Sequence, residues 1–497
     1  MSSTDKDLLA RFEQEIWCKM PHEEGGKIVN ATPLADITKD MRECARLYNM
    51  ELGDSARIFA KFDSELMTGS IKIRPAVYIL HEAIKSGRLC GGQVIIEATS
   101  GNFGIALGRI SKLGLVVVSL VSRKLQEGVF AELRNEEIKI MDLDMDVCPA
   151  PGMKGNADAM AAKAAAANIR SQLVQLGFDA KPFDGVAQKI ESLLEAQDII
   201  NLAKLLAGTY GFFCPEQYDN ELNIDAHRTV TAPEIDSQLE ECGTSLKNAD
   251  VVCAFGTGGT SGGISRYVSA KYGKKAVHVV FPPVGQDVAG IRTKATASGL
   301  SMYRPELYAA EHEVDFGKAR QLLRFLVKKG HDIGESSALA LYCAMQMAAD
   351  GGEFVVIVAD GIAKYKKSLE EQPRMQVSLQ EAALGNYDKI IWVHTQYTPR
   401  EEGIRTIARS LGVDESRIYV PKASTIGKLL ATQQIPDELQ GKLEGSKSLL
   451  VCMAGNTSLM TAKVLAGKGI TTESLNGGIM DLAGSTNPAE LIRQATE

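Results

Sequence analysis

The chain has 497 residues, 45% of them hydrophobic and 24% charged, with a net charge of -7. That balance excludes a disordered, collagenous or coiled-coil chain, and the length calls for more than one hydrophobic core. An acidic excess with no long basic run gives no electrostatic footprint for nucleic acid and disfavours an anionic membrane surface.

Nine cysteines, at positions 18, 44, 90, 148, 214, 242, 253, 343 and 452, are dispersed and nowhere spaced as CxxC. Neither a zinc knuckle nor a redox pair is expected, and unpaired thiols fit a reducing compartment. The N-terminus is charged and amphipathic, without the apolar core of a secretion signal. The longest apolar run, around Leu113–Val121, is too short to cross a bilayer. The expectation is a cytoplasmic protein acting on a small molecule, with no nucleic-acid or membrane partner.

In chain order, residues 1–50 are polar and helical, an arm or packing extension. Arg57–Phe62 reads as a strand and Pro75–Ser86 as a helix with proline at its start. Val94–Glu97 is a strand, Gly104–Leu113 a helix, and Leu115–Val121 a strand apolar enough to be covered on both faces. Residues 150–210 are rich in Ala, Lys and Gln and read as surface helices, the rival reading being a mobile cap. Val251–Phe255 is a strand followed by glycines and a helix from about Ser261. Val277–Phe281 and Glu353–Val358 are further strands. Such alternation predicts a parallel sheet with helices on both faces and a site at the strands' C-terminal ends. Gln372–Asn386 lacks patterning and reads as a linker, after which a second α/β pattern runs to the end.

Four segments carry chemistry. In TGSIKIRPA (68–76), a lysine sits between a strand and a helix among Gly, Ser and apolar residues. A lysine so placed loses hydration, and its amine can become a nucleophile. EATSGNFG (97–104) leaves a strand and opens a helix, forming a nest for an anion such as a carboxylate. GTGGTSGG (256–263) does the same with glycines that let backbone N–H groups cradle a phosphate. It lacks the lysine of a Walker loop and the downstream acid of a dinucleotide fold. GESSALAL (334–341) opens a late helix, and its serines serve either as caps or as partners of a heteroaromatic nitrogen. Phosphate cradle, activated lysine and carboxylate nest together suggest pyridoxal 5'-phosphate.

At this level of detail the chain resembles the fold-type II pyridoxal phosphate enzymes of the cysteine synthase and cystathionine β-synthase family, over roughly residues 28–370. The resemblance implies an α/β fold with two three-layer α/β/α subdomains and the cofactor in the cleft between them (1–375). It implies Lys72 as the Schiff-base lysine. It places Thr99, Ser100 and Gly101 on the substrate carboxylate and Asn102 on the pyridine 3'-oxygen. Gln217, within PEQYDNELNIDAH, implies a substrate contact; TAPEI (231–235) and ADGIAKY (359–365) continue the match. Gly256, Thr257, Gly258, Gly259 and Thr260 match the phosphate cradle, and Ser336 falls where the family sets a serine against the pyridine nitrogen. A neutral partner there suits β-elimination and β-replacement through an aminoacrylate rather than transamination. The family usually forms dimers, which implies a homodimer.

Two departures stand out. Ile73 replaces the family's usual Asp, and Phe103 replaces Thr beside the carboxylate loop. The second opens an alternative to L-serine- or L-cysteine-type chemistry in sulfur amino acid metabolism: a diaminopropionate-type synthase using O-phosphoserine and an amine. The residues between Met141 and Leu206 exceed the usual length. Finally, KSLLVCMAGNTS (447–458) and SLNGGIMDL (474–482) resemble a rhodanese-like domain (385–497), with Cys452 at the persulfide-forming position. That resemblance implies a possible sulfurtransferase cysteine and a cysteine desulfhydrase coupled to it.

Overall fold

The computed structural model describes residues 3–99, 101–121, 132–136, 138–143, 159–284, 286, 288–369, 375–394, 401–443, 445–452, 455–476 and 478. The chain divides into two compact units, Met1–Leu369 and Glu370–Glu497. In unit one the strands are β1 (His22–Glu24), β2 (Lys27–Val29), β3 (Leu34–Asp36), β4 (Arg57–Phe62), β5 (Val94–Ala98), β6 (Val116–Val121), β7 (Lys139–Asp142), β8 (Asp250–Ala254), β9 (Val277–Phe281), β10 (Ala310–Glu313) and β11 (Glu353–Val358). β1 and β2 form a small antiparallel ribbon.

Two sheets organise this unit. The larger has the order β10-β9-β8-β11-β4-β3 and is parallel except for the edge pair β3–β4; the smaller is parallel β5-β6-β7. Successive side chains of a strand face opposite ways, and each sheet is accordingly covered twice. On β11, Phe354, Val356 and Val358 enter one apolar cluster, while Val355 and Ile357 enter another. On the smaller sheet, Ile95, Val117 and Val121 face the cluster built on helix Ile73–Lys85. Val94, Ile96, Val118 and Leu120 face the opposite way.

The opposite face is covered by the Ala-rich segment, which corrects the reading of it as surface helices or a cap. Helix Ala159–Gln175 buries Ala162, Ala165, Ala166, Ile169 and Leu173, a helical stripe. Helices Ala187–Glu195 and Ile199–Tyr210 add Ile190, Leu194, Leu202 and Leu206 to the same cluster. Small side chains let the first helix lie close to the sheet, so little large apolar content is needed.

Unit two contains β12 (Gln376–Val377), β13 (Lys389–Trp392), β14 (Ile418–Tyr419), β15 (Ser448–Val451) and β16 (Thr472–Leu475), all parallel, in the order β12-β16-β15-β13-β14. The expected linker is therefore partly structured. β12 pairs with β16, and helix Leu379–Leu384 begins with a capping box between Ser378 and Glu381. Among the described residues no helix is long and apolar enough to cross a membrane.

Candidate active site

Three helices of unit one begin earlier than periodicity indicates: at Ile73, Asn102 and Gly259. Their first turns mix polar, glycine or proline residues with single apolar ones (Ile-Arg-Pro-Ala, Asn-Phe-Gly-Ile, Gly-Thr-Ser-Gly) and carry no clear apolar repeat. These turns hold the residues in question.

Lys72 is the residue just before helix Ile73–Lys85. Its segment is tied to the end of β11, where Ser70 bridges Asp360 and Ile71 N donates to Ala359 O at 2.8 Å. Lys72 Nζ lies 3.5 Å from Thr257 Oγ1. Burial lowers the amine to about 8, the Arg292 charge adds to this, and Asp360 opposes it. Two residues on, Arg74 enters a buried ion network with Asp63 and Glu234, which also pairs with Lys61. This network anchors the base of the lysine helix, and it is where the family's Asp after the lysine, here Ile73, has given way to a core residue.

The glycine cradle lies opposite. A Cβ on Gly256 would stand 3.6 Å from Lys72 Nζ and 3.1 Å from Gly290 O. Gly258 has φ +96°, and a side chain there or at Gly259 would strike Met302 or Asn223. These glycines thus serve the packing of the turn as well as the open N–H groups. Asn223 Nδ2 donates to Thr257 Oγ1 at 3.2 Å and to Gln217 O at 2.7 Å. Behind the cradle, His227 Nε2 lies 3.3 Å from Thr260 Oγ1 and Nδ1 lies 3.0 Å from Thr231 Oγ1. His227 sits in a widened π-helical turn, His227–Thr231. Burial lowers the imidazole to about 3, with the Arg74 charge adding, so it stays neutral.

At the third turn, Gly101 precedes helix Asn102–Ser111, and nothing lies within 4 Å of where its Cβ would be. Thr99 Oγ1 accepts from Gly104 N at 3.1 Å, and Thr99 O accepts from Ser119. Ser100 lies outside the described residues. Asn102 donates to Asp360 and accepts from Lys364. Phe103 departs from expectation: its ring is 2% exposed, within the cluster of Leu66, Ile73, Val77 and Leu133. On the helix it points to the core, one position round from Asn102, and lends no group to the loop.

Gln217 is buried, and its amide is engaged with protein: Nε2 donates to Ala98 O, while its main-chain N donates to Glu97 Oε2, both at 3.3 Å. Glu97, the penultimate residue of β5, is fully enclosed. Burial raises its carboxyl to about 8 against the N–H groups of Gln217 and Ala98. It fastens the 214–217 segment to the strand end. Ser336 is in the first turn of helix Glu335–Met347, whose cap residue is Gly334, so Ser336 is not the cap.

Sequence reasoning missed Glu97, Asn223, His227, Arg292, Asp360 and Lys364. Five of them lie in segments it quoted. Their signal was polar character at buried positions, visible only once burial is known. Arg292 lies in a run without any pattern; its N donates to Phe255 O beside the cradle, and Nη2 donates to Tyr218 Oη at 3.1 Å.

In unit two, Cys452 directly follows β15 and is 3% exposed. Its Sγ accepts from Ser458 N and Oγ, each at 3.3 Å. Residues 453 and 454, and most of the SLNGGIMDL motif after Asn476, lie outside the described residues.

A lysine amine at the mouth of an N–H cradle, with a carboxamide and an open glycine turn facing it, fits a phosphorylated aldehyde. The residues present therefore suit pyridoxal phosphate. Comparison with known proteins agrees. The family model "Pyridoxal-phosphate dependent enzyme" matches residues 40–361. A cysteine synthase of Staphylococcus aureus is 24% identical over 325 residues, 63% of this chain and 87% of that protein. A probable cysteine synthase of Bacillus subtilis is 28% identical over 335 residues, 65% of this chain and 90% of that protein. Among solved structures, O-ureido-L-serine synthase shares the fold at 20% identity and a TM-score of 0.50, covering 69% of this chain and 94% of its own. The chain belongs to the pyridoxal-phosphate dependent enzyme family, and its cofactor is pyridoxal 5'-phosphate.

Proposed function

We propose that this enzyme carries out β-replacement or β-elimination on an L-serine- or L-cysteine-type amino acid, in the manner of a cysteine synthase. The carrying observation is Lys72 with its amine 3.5 Å from Thr257 Oγ1 and lowered by burial, on a segment that Asp360 joins to Asn102. The names of the relatives support the same reaction class.

Pyridoxal phosphate supplies the electron sink for the pair left when an α-proton is removed. The protein's residues do the rest. Lys72 would hold the cofactor covalently and, with its amine free, would take the substrate's α-proton as general base. A pKa near 8 leaves a useful neutral fraction at physiological pH. N–H groups of Gly256–Thr260 and the Thr257 and Thr260 hydroxyls hold the phosphate. Gly101, Thr99 and the N-terminus of helix Asn102–Ser111 receive the substrate carboxylate. Ser336, buried in the first turn of helix Glu335–Met347, would supply the hydroxyl partner of the pyridine nitrogen. Gln217 and Glu97 shape the wall rather than bond the substrate, since both are committed to protein partners. The β-leaving group departs with its bonding pair, and a thiol, sulfide or amine adds at the β-carbon, or water completes the elimination.

Arg292 favours a second reading within this class, an anionic leaving group such as that of O-phosphoserine. Its charge reaches Lys72, and its Nε is buried with no hydrogen-bond partner among the described residues. For unit two, the position of Cys452 after a parallel strand and before helix Asn456–Ala466 supports a rhodanese-like, sulfur-handling role; thiosulfate sulfurtransfer lost in Cys452→Ser is the expected result.

The test is a visible spectrum of the holoenzyme followed by additions of O-acetylserine, O-phosphoserine and cysteine in turn. One donor should shift the cofactor band and give turnover. Lys72→Ala should lower turnover by about 10³-fold or more. Undiminished steady-state turnover in that variant would end the proposal.

A further inference from the structure

Asn102 has its carboxamide held at both ends. The oxygen accepts from Lys364 Nζ at 2.6 Å, and the nitrogen donates to Asp360 Oδ2 at 2.7 Å. Lys364 also reaches Thr68 O, at 3.4 Å, on the segment that carries Lys72. It lies in the turn Ile362–Ser368, beyond the C-terminal end of β11.

Asp360 is itself firmly seated. Tyr365 Oη donates to the same Oδ2 at 2.6 Å, Gly334 N donates to Asp360 O at 2.7 Å, and Ser70 forms a strand bridge to it. A side chain on Gly334 would come within 2.1 Å of Asp360 Oδ1, so this seat exists because residue 334 is glycine. Asp360 is 3% exposed. Three segments that the site needs, at Lys72, Asn102 and the end of β11, thus meet in one polar knot.

The partners fix the orientation of the amide. An ammonium can only donate and a carboxylate accepts, so the Asn102 oxygen must face Lys364 and its NH₂ must face Asp360. One N–H is then spent on Asp360, and the NH₂ group, near enough to act on Tyr365 Oη as well, keeps its second. We infer that Lys364 is a positioning residue for the cofactor: with Asp360 it locks Asn102 in the one flip that leaves an N–H donor free for the ring oxygen of pyridoxal phosphate. The inference rests on Asn102 contacting that oxygen. Without Lys364 the carboxamide loses the partner of its oxygen and is held at its nitrogen end alone by Asp360, so the remaining N–H is no longer kept in one direction.

The experiment titrates apo-protein with pyridoxal phosphate and reads the dissociation constant and the visible absorption maximum, not activity. Lys364→Met should raise the dissociation constant roughly tenfold and shift the maximum, while Lys364→Arg should stay near wild type. Lys364→Leu, which also lacks a donor, is carried in parallel and gives the same reading should the Met variant not fold. Asn102→Ala should weaken binding too. Combined with the Lys364 change it should add nothing further, because both act through one contact. Additive effects, or a Lys364→Met protein with wild-type affinity and spectrum, overturn the inference while leaving Asn102 in place. An Asn102→Ala protein that binds normally overturns both the inference and the contact on which it rests.

Discussion

At the scale of single residues, the chemistry turns on how the fold changes groups that are ordinary in sequence. Lys72 is one of many lysines, and only burial with the Arg292 charge nearby brings its amine to about 8. The neutral amine attacks a carbonyl and the ammonium does not. Raising the pH therefore speeds attack until the amine is fully deprotonated. The rate at which apo-protein captures pyridoxal phosphate should rise through pH 8 and level off about one unit above it. Stopped-flow absorbance from pH 6.5 to 10.5 checks this; a rate still climbing steeply at pH 10 would mean an unperturbed lysine. Glu97 moves in the opposite direction for the same reason, since burial penalises its charged form and keeps it protonated near neutrality.

At the scale of elements, each site helix has an apolar flank in a core and a polar first turn at the site. Phe103 shows the division. It stands next to Asn102 in sequence, yet its ring is packed against Leu66, Ile73 and Val77. Phe103→Thr should therefore cost about 3–5 kcal/mol of stability, as for deletion of a buried aromatic ring, with the ranking of O-acetylserine and O-phosphoserine unchanged. Thermal unfolding and donor competition on one preparation decide it. A switched donor preference at unchanged melting temperature would restore the residue to the substrate site. The ion network of Lys61, Asp63, Arg74 and Glu234 does for the lysine helix what apolar contacts do for the others. Its members come from β4, the turn after it, the helix of Lys72 and helix Ala232–Glu241.

At the scale of the whole molecule, the described residues form four apolar clusters within unit one and two within unit two. A unit with its own cores folds by itself. A chain ending at Leu369 should bind pyridoxal phosphate and show the holoenzyme's visible band, as measured by reconstitution and spectroscopy. An insoluble or colourless product would make unit two a requirement of the first unit's fold.

The strands β4, β9 and β11 were legible in the sequence to the residue, β9 and β11 as runs rich in valine and β4 as a short run of Ile, Phe and Ala broken by one lysine. The four chemical segments were legible too, since Gly-rich turns and an isolated lysine between strand and helix are local patterns. What the sequence could not give was the direction in which a side chain points or the charge it meets. Whether Phe103 faces substrate or core depends on the sheet beneath its helix. Where the Gln217 side chain is directed depends on the carbonyl of Ala98, 119 positions away along the chain. The Asn102–Asp360–Lys364 knot joins residues some 260 positions apart. Sequence determined the elements and the cofactor class because those follow from periodicity and from local backbone chemistry. Tertiary structure alone decided which polar groups are spent on one another and which remain for the ligand, because burial and pairing are properties of distance in space.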